Sequence, residues 1–185
     1  HLLNECPVED FMARLAERVP MQAVVDWQRG AGASALHIGA HPQIEADFVY
    51  VGAVPPLGRL DPVMLRGVAQ LAREFGDGHL RFTPWQSLLL PNVRVADSAE
   101  VIRQLQWLGL ICESGPPLSR MIACTGSTGC GKGLADTKGD ALQLAALLQR
   151  HRHSLNVHLS GCSRSCAAAH IAPVTLLAVS PGQYD

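Results

Sequence analysis

The sequence predicts an α+β fold in two successive parts, on three observations. Segments rich in β-branched and aromatic residues, such as FVYVGAV at 48–54, alternate with segments whose apolar residues recur at helical spacing. The proline-containing stretch ESGPPL at 113–118 separates two groups of such segments. Apolar residues make up 48% of the chain and charged residues only 17%, a composition that favours a packed core over disorder.

The first part is expected to form a sheet covered by helices. A helix start is clearest at Asp61–Pro62, because an acidic N-cap precedes a proline in the first turn. Apolar residues then repeat at helical spacing until the sequence GDG at 76–78. The segments of this part are helices at 9–19, 61–75 and 97–108, and strands at 34–38, 48–54, 79–83 and 87–93. For 48–108 this order predicts an antiparallel or mixed sheet with two helices on one face.

The second part combines two glycine-rich loops with a smaller set of regular segments. These are a helix near 140–150 and strands at 155–159 and 174–179. The resulting division is a preceding linker or domain end at 1–29, one domain at 30–112 and another at 113–185. Because the sequence starts and stops in mid-pattern, we expect it to be a piece of a longer protein whose second domain is truncated at its C-terminal end.

Composition and charge exclude several classes of function. The formal net charge is −1, so the chain lacks the basic surface that nucleic-acid binding requires. No run of 18 apolar residues is present, so no membrane span is predicted. The sequence GSTGCGKG is similar to a phosphate-binding loop, but Gly133 stands where a magnesium-binding Ser or Thr is needed. We therefore expect no nucleic acid, membrane or nucleotide as a partner.

Two cysteine pairs lie in the glycine-rich loops. Cys124 and Cys130 are separated by five residues, and Cys162 and Cys166 by three. Nearby glycines allow the backbone to bend around a bulky inorganic group and direct N–H groups toward it. This pattern favours a [4Fe–4S] cluster, which needs four thiolates. A zinc site, which prefers closer cysteine spacing, and buried or redox-active thiols remain the alternatives. Outside these pairs, Cys6 and Cys112 are predicted to be small buried apolar residues.

The spacing Cys-x5-Cys and Cys-x3-Cys resembles the cluster motif of the sirohaem-dependent nitrite and sulfite reductases and their relatives. The resemblance extends to GLADTKGDALQLAALL after Cys130, to SGCSRSCAAAHIAPVTLLAV, and upstream to residues 51–93, and it spans roughly residues 30–185. It implies a ferredoxin-like nitrite/sulfite reductase half-domain followed by an α/β [4Fe–4S]-binding domain. It also implies a cytoplasmic enzyme in which this piece pairs with the other half of its own chain.

One motif distinguishes the branches of this superfamily. The reductases usually carry Thr-x-Arg-Gln where this chain has Thr83-Pro84-Trp85-Gln86. The sequence LRFTPW is instead similar to precorrin-3B synthases of aerobic cobalamin biosynthesis, although a synthase is expected to carry Arg in place of Gln86. That resemblance implies oxygen-dependent hydroxylation of precorrin-3A to precorrin-3B, which prepares ring contraction, with a [4Fe–4S] cluster and a non-haem iron. The alternatives are a sirohaem-dependent nitrite or sulfite reductase, and a non-catalytic electron-transfer or scaffold module.

The resemblance also implies site residues and partners. The four cysteines would hold the cluster, and the partners would be a tetrapyrrole substrate and an electron donor, either an NADH-linked reductase or a ferredoxin-like protein. No catalytic residue is assigned. The candidate tetrapyrrole contacts are Arg59, Arg81, Thr83, Trp85, Gln86 and Lys132. We expect the five from Arg59 to Gln86 to line one concave surface facing the loop 162–166, because a carboxylated apolar ring needs Arg partners and an apolar floor. His170 is a further candidate neighbour of iron, although a lone histidine is more often structural.

Overall fold

The computed structural model describes residues 5–22, 35–153, 155–168 and 172–185. Its contacts divide the chain into two compact units, residues 1–33 and 34–185. In the first unit the described residues contain one helix, α1, at Val8–Ala16. This confirms the predicted helix, which ends three residues earlier than the apolar pattern suggested.

The larger unit begins with a four-stranded antiparallel sheet. Its strands are β1 (Gly39–Pro42), β2 (Phe48–Ala53), β3 (Arg81–Phe82) and β4 (Leu88–Arg94), and they lie in the order β1-β2-β4-β3. The helices α2 (Pro62–Phe75) and α3 (Ser98–Trp107) pack against this sheet. The predicted combination of an antiparallel sheet and two helices is therefore confirmed.

A single apolar core joins the first sheet to its two helices. Fully buried side chains include Val51 and Leu90 from the strands, Val68 from α2, and Val101 and Leu105 from α3. The start of α2 is fixed as predicted, because the Asp61 carboxylate accepts hydrogen bonds from the amides of Val63 and Met64 at 2.7 and 2.8 Å. Both helices thus contribute one apolar face to the same core.

Two of the predicted strands differ from the structure. Within 34–38, the described residues 35–38 form a turn closed by the Ile38 amide and the Ala35 carbonyl, and β1 begins only at Gly39. The backbone of Ala35 is left-handed, which interrupts an extended strand. The strand predicted at 79–83 is reduced to Arg81–Phe82, since Thr83 begins the connection to β4.

A second sheet carries the cysteine loops. The strands β5 (Met121–Ala123), β6 (Val157–Ser160) and β7 (Val174–Ser180) are parallel neighbours, and β8 (Gln183–Tyr184) pairs with β7 in antiparallel orientation. The helix α4, Thr137–Arg150, connects β5 to β6. This confirms the predicted helix and two strands, with no bound moved by more than three residues.

The two sheets meet at a short turn of the first part. Residues Pro56–Gly58 form one turn of 3-10 helix after β2, and Leu57 in this turn is buried in the core of the second sheet with Met121, Ala141 and Leu159. The backbone of Leu57 is left-handed, with φ of 51°. Through this turn, the part of the chain that forms the first sheet packs against the part that forms the second sheet and carries the cysteine loops.

Candidate functional site

Cys124 occupies the first position after β5, where three neighbouring segments fix it. Its amide donates to the Leu159 carbonyl at 3.1 Å, and its carbonyl accepts from the hydroxyl of Thr137 at 2.8 Å. The amide of Gly161 donates to the Cys124 Sγ at 3.1 Å. An N–H group directed at sulfur stabilises a thiolate, the form that binds iron.

The two cysteine loops are in direct contact. The Leu134 amide donates to the Gly161 carbonyl at 2.8 Å, which joins the loop after Cys130 to the loop before Cys162. A Cβ atom added to Gly161 would lie 3.3 Å from the Gly133 Cα and 3.4 Å from the Cys124 Sγ. Glycine at position 161 therefore permits the close approach of the two loops.

A cavity of about 510 Å³ lies where the loop after β5 meets the turn at Pro56–Gly58. Its size is within the range of small-molecule sites in proteins. Cys124 and Cys166 both line it, whereas Cys130 is exposed and Cys162 half-buried, and neither of these two lines the cavity. The remaining lining residues come from both halves of the unit: Pro55, Gly58, Arg59, Leu60, Phe82, Thr83, Gln86, Ser87, Ala123, Thr125, Lys138 and Ala167.

The four motif cysteines supply the donor chemistry that an iron–sulfur cluster needs. Among the residues that the structure describes, no three His, Cys, Asp or Glu side chains lie close enough together to hold one metal ion. In a cubane cluster each iron takes one thiolate, so the four sulfurs surround a larger object than a zinc ion. The two touching loops carry four free thiols, and a glycine amide donates to one of the sulfurs. That all four hold one cluster stays a prediction.

Three of the six candidate tetrapyrrole contacts line the cavity: Arg59, Thr83 and Gln86. Gln86 adopts a left-handed backbone, and its Nε2 donates to the Ala123 carbonyl at 3.4 Å. The Gln86 Oε1 is buried without a hydrogen-bond partner among the described residues. This side chain therefore links the β3–β4 loop to the residue before Cys124 and retains an acceptor atom beside the cavity.

The other three candidates lie elsewhere. Arg81 and Lys132 are exposed and do not line the cavity. Trp85 is half-exposed and stacks on His37, with ring centroids 5.3 Å apart and planes 13° apart. It lines a second cavity of about 230 Å³ with Met121 and Ile122. Of the five residues expected to line one common surface, Arg59, Thr83 and Gln86 line this cavity, whereas Arg81 and Trp85 do not. The remaining candidate, His170, lies outside the described residues.

Lys138 is a cavity residue that the sequence patterns did not single out. Its Nζ donates to the Leu57 carbonyl and, at 3.2 Å, to the Ala123 carbonyl, and only 8% of the residue is exposed. Burial lowers the pKa of Lys138, as does the neighbouring Arg59 guanidinium, whereas Cys124 raises it. The signal was available, because Lys138 shares a helical stripe of α4 with the buried residues Ala141 and Ala145.

The two cysteines outside the motif differ from each other. Cys112 is buried in the first core, as predicted, and burial followed by the nearby Glu113 carboxylate raises its pKa to about 12. Such a thiol stays protonated and inert. Cys6 is only half-buried, so its predicted role as a buried apolar residue is wrong. The helix that follows it, α1, has no buried residues, so this part of the chain provides no core in which Cys6 could be buried.

Comparisons with known proteins agree with this architecture. Residues 41–107 match the family of nitrite/sulfite reductase ferredoxin-like half domains. The chloroplastic ferredoxin–nitrite reductase of Zea mays is 30% identical over 94% of this chain and 32% of the relative. Sulfite reductase (ferredoxin) 2 of Mycolicibacterium paratuberculosis is 30% identical over 76% of this chain and 26% of the relative. The structure of the Mycobacterium tuberculosis NirA protein is similar, with a TM-score of 0.78 and 25% identity over 95% of this chain and 34% of that one.

The extent of these matches also limits what they describe. This chain spans about a third of the length of the curated relatives that it matches. Within the described ranges, none of the helices has the length and apolar content that crossing a bilayer requires. The fold predicted from the sequence, a mixed α/β arrangement with a ferredoxin-like half-domain, agrees with both the family match and the NirA structure.

Proposed function

Since this chain contains a ferredoxin-like half-domain of the nitrite and sulfite reductase superfamily, we propose that it belongs to an oxidoreductase that reduces nitrite or sulfite at a sirohaem. The observation that carries the proposal is the cavity of about 510 Å³. Two motif cysteines, Cys124 and Cys166, line it together with residues of the half-domain. The similarity to reductases favours this function over the synthase suggested by the Trp85 motif. A ferredoxin is the proposed electron donor, because relatives from plants and mycobacteria carry that donor in their names.

The cavity has the chemistry that a carboxylated tetrapyrrole needs. Pro55, Leu60 and Phe82 supply apolar surface for the flat ring. Arg59 supplies positive charge, because a carboxylate removed from water must be paired or hydrogen-bonded. The Gln86 amide, whose Oε1 has no partner among the described residues, adds a polar group to the cavity wall.

The proposed iron–sulfur ligands are Cys124, Cys130, Cys162 and Cys166, on the two touching loops. When bound there, a [4Fe–4S] cluster supplies one-electron transfer to the adjoining tetrapyrrole. The residues of this chain prepare the site by three contacts: Gly161 donates its amide to Cys124, Thr137 fixes the Cys124 carbonyl, and the Leu134–Gly161 bond holds the loops together. These contacts position Cys124 and hold the two loops together before any cofactor is bound.

A precorrin-3B synthase is the second candidate, favoured by one observation. Trp85 stands where the reductases usually have the Arg of Thr-x-Arg-Gln, and its ring lies against His37 on the second cavity. A side chain with this placement offers no cation to a sirohaem carboxylate. Oxygen-dependent hydroxylation of precorrin-3A, with a cluster and a non-haem iron, is the function that this departure supports.

Optical spectroscopy with two assays separates these functions. The complete protein would be purified anaerobically, reconstituted with iron and sulfide, and titrated with sirohaem. The proposed reductase is expected to show sirohaem bands and to consume nitrite or sulfite when reduced methyl viologen is supplied. A cluster band without sirohaem binding, together with oxygen uptake on addition of precorrin-3A, would instead establish the synthase. A colourless protein would contradict both and leave a scaffold role.

A further inference from the structure

Lys138 places a buried cation at the junction of the two sheets. The residue belongs to the first turn of α4, and its Nζ reaches the Leu57 carbonyl of the half-domain turn and the Ala123 carbonyl at the end of β5. Both acceptors are neutral carbonyls. With 8% of its surface exposed, Lys138 is shielded from the water that would otherwise stabilise its charge.

No carboxylate of the described residues compensates this charge. The ion pairs within those ranges join His79 to Asp77 and Arg103 to Glu100, and neither involves Lys138. The nearest acidic residues on α4 have other partners, since Asp136 accepts from the Gly139 amide and Asp140 from the Tyr184 hydroxyl. Arg59, a second cation, lines the same cavity and disfavours the charged form of Lys138.

Buried charges in proteins are normally paired, so the buried ammonium of Lys138, beside a cavity that the exposed Arg59 also lines, indicates an anionic occupant. Of the neighbouring groups that act on the pKa of Lys138, Cys124 is the one that favours the charged form. Ala123, whose carbonyl Lys138 binds, directly precedes Cys124, and both Lys138 and Cys124 line the cavity. The Lys138 ammonium is therefore held next to the residue that precedes Cys124, on the part of the cavity that this cysteine lines.

We propose that Lys138 is the counter-charge of the thiolate-ligated redox group held at Cys124 and that it raises the reduction potential of that group. The proposal rests on the proposed function in one respect, namely that Cys124 ligates an iron–sulfur cluster. Adding an electron makes such a cluster more negative, and a fixed cation in a poorly solvated position stabilises the reduced form. Lys138 thereby acts through charge in addition to its two hydrogen bonds.

Three substitutions separate charge from hydrogen bonding. Lys138→Arg keeps the charge, Lys138→Gln keeps a donor without charge, and Lys138→Met removes both. Arg150→Met is the matched control, because Arg150 is an exposed cation at the other end of the same helix. The measurement is the midpoint potential of the reconstituted cluster in the complete protein without tetrapyrrole, followed by electron paramagnetic resonance. Circular dichroism and thermal unfolding check that each variant is folded.

The expected result is a more negative midpoint potential in both Lys138→Gln and Lys138→Met, with values near that of the unsubstituted protein in Lys138→Arg and Arg150→Met. Equal potentials in all four variants would overturn the proposal. A potential retained in Lys138→Gln but lowered in Lys138→Met would assign the effect to hydrogen bonding and also overturn it. If Lys138→Met does not fold, the Gln and Arg variants decide the question by themselves.

Two further outcomes separate this inference from others. Unchanged potentials combined with weaker sirohaem binding in Lys138→Gln would identify a tetrapyrrole carboxylate as the partner of Lys138 and overturn the counter-charge at Cys124. Failure of the unsubstituted protein to assemble any cluster would refute the iron–sulfur part of the proposed function, and the inference about Lys138 would fall with it.

Discussion

Replacement of Thr137 by valine tests how the chain fixes Cys124 before a cofactor is bound. The Thr137 side chain is fully buried, and its hydroxyl donates to the Cys124 carbonyl at 2.8 Å. Valine has nearly the same shape and a similar helix propensity, so the main loss is this hydrogen bond. A buried acceptor left without its donor costs about 1–3 kcal/mol in the free energy of unfolding. With a urea m-value of about 2 kcal/mol/M, the unfolding midpoint is expected to fall by about 0.5–1.5 M.

The assay is urea denaturation of the apoprotein under reducing conditions, followed by circular dichroism. Thr128→Val is the control, because Thr128 is exposed on the loop between Cys124 and Cys130 and its hydroxyl makes only a 3.3 Å bond to the Thr125 carbonyl. A surface change of this kind is expected to alter the free energy of unfolding by less than about 0.5 kcal/mol. Equal midpoints for the two valine variants would refute the assignment of Thr137 as the residue that secures Cys124.

Three further predictions test the fold that supports the site. Gly52→Ala should destabilise the protein by about 1–3 kcal/mol, because the alanine Cβ would lie 2.3 Å from the His37 carbonyl oxygen. Gly115→Ala is the control and should change stability little, because no atom lies within 4 Å of its added Cβ. Asp61→Ala should cost about 1 kcal/mol through loss of the N-cap of α2, with lower stability in thermal unfolding as the readout. Leu105→Ala should cost about 2–5 kcal/mol in urea denaturation, and a cost no larger than that of the exposed Leu142→Ala would contradict the assigned core.

The first sheet and its helices were predictable because their signals are local. The acidic N-cap and proline at 61–62 mark the start of α2, and the strand before it, β2, combines β-branched and aromatic residues. The turn at 35–38 was missed for a reason that is also local. Its apolar residues suggested a strand, but the left-handed backbone at Ala35 depends on contacts that no pattern of side-chain types encodes.

The position of Trp85 shows the limit of strand parity. Alternation would have placed Arg81, Thr83 and Trp85 on the same side of one strand. The strand instead ends at Phe82, and the Thr83 amide closes a loop onto the Ser87 carbonyl. Within that loop the left-handed backbone of Gln86 turns its amide toward Ala123, while Trp85 stacks on His37. Proline at position 84 removes a ladder donor, so strand alternation does not extend beyond Phe82.

Lys138 demonstrates why the chemistry of the cavity was harder to predict than its cysteines. Paired cysteines among glycines are recognisable wherever they occur, since few other structures need that combination. The importance of Lys138 arises instead from the Leu57 carbonyl, which lies 81 residues away in sequence. Burying a lysine side chain costs free energy unless its charge is paired or hydrogen-bonded. A lysine on the buried face of a helix is therefore itself evidence for a functional site. The same reasoning applies to Gln86, whose buried Oε1 has no partner among the described residues, and both side chains converge on the Ala123 carbonyl. The residue before the first motif cysteine is therefore a point where side chains from the β3–β4 loop and from α4 meet at the edge of the cavity.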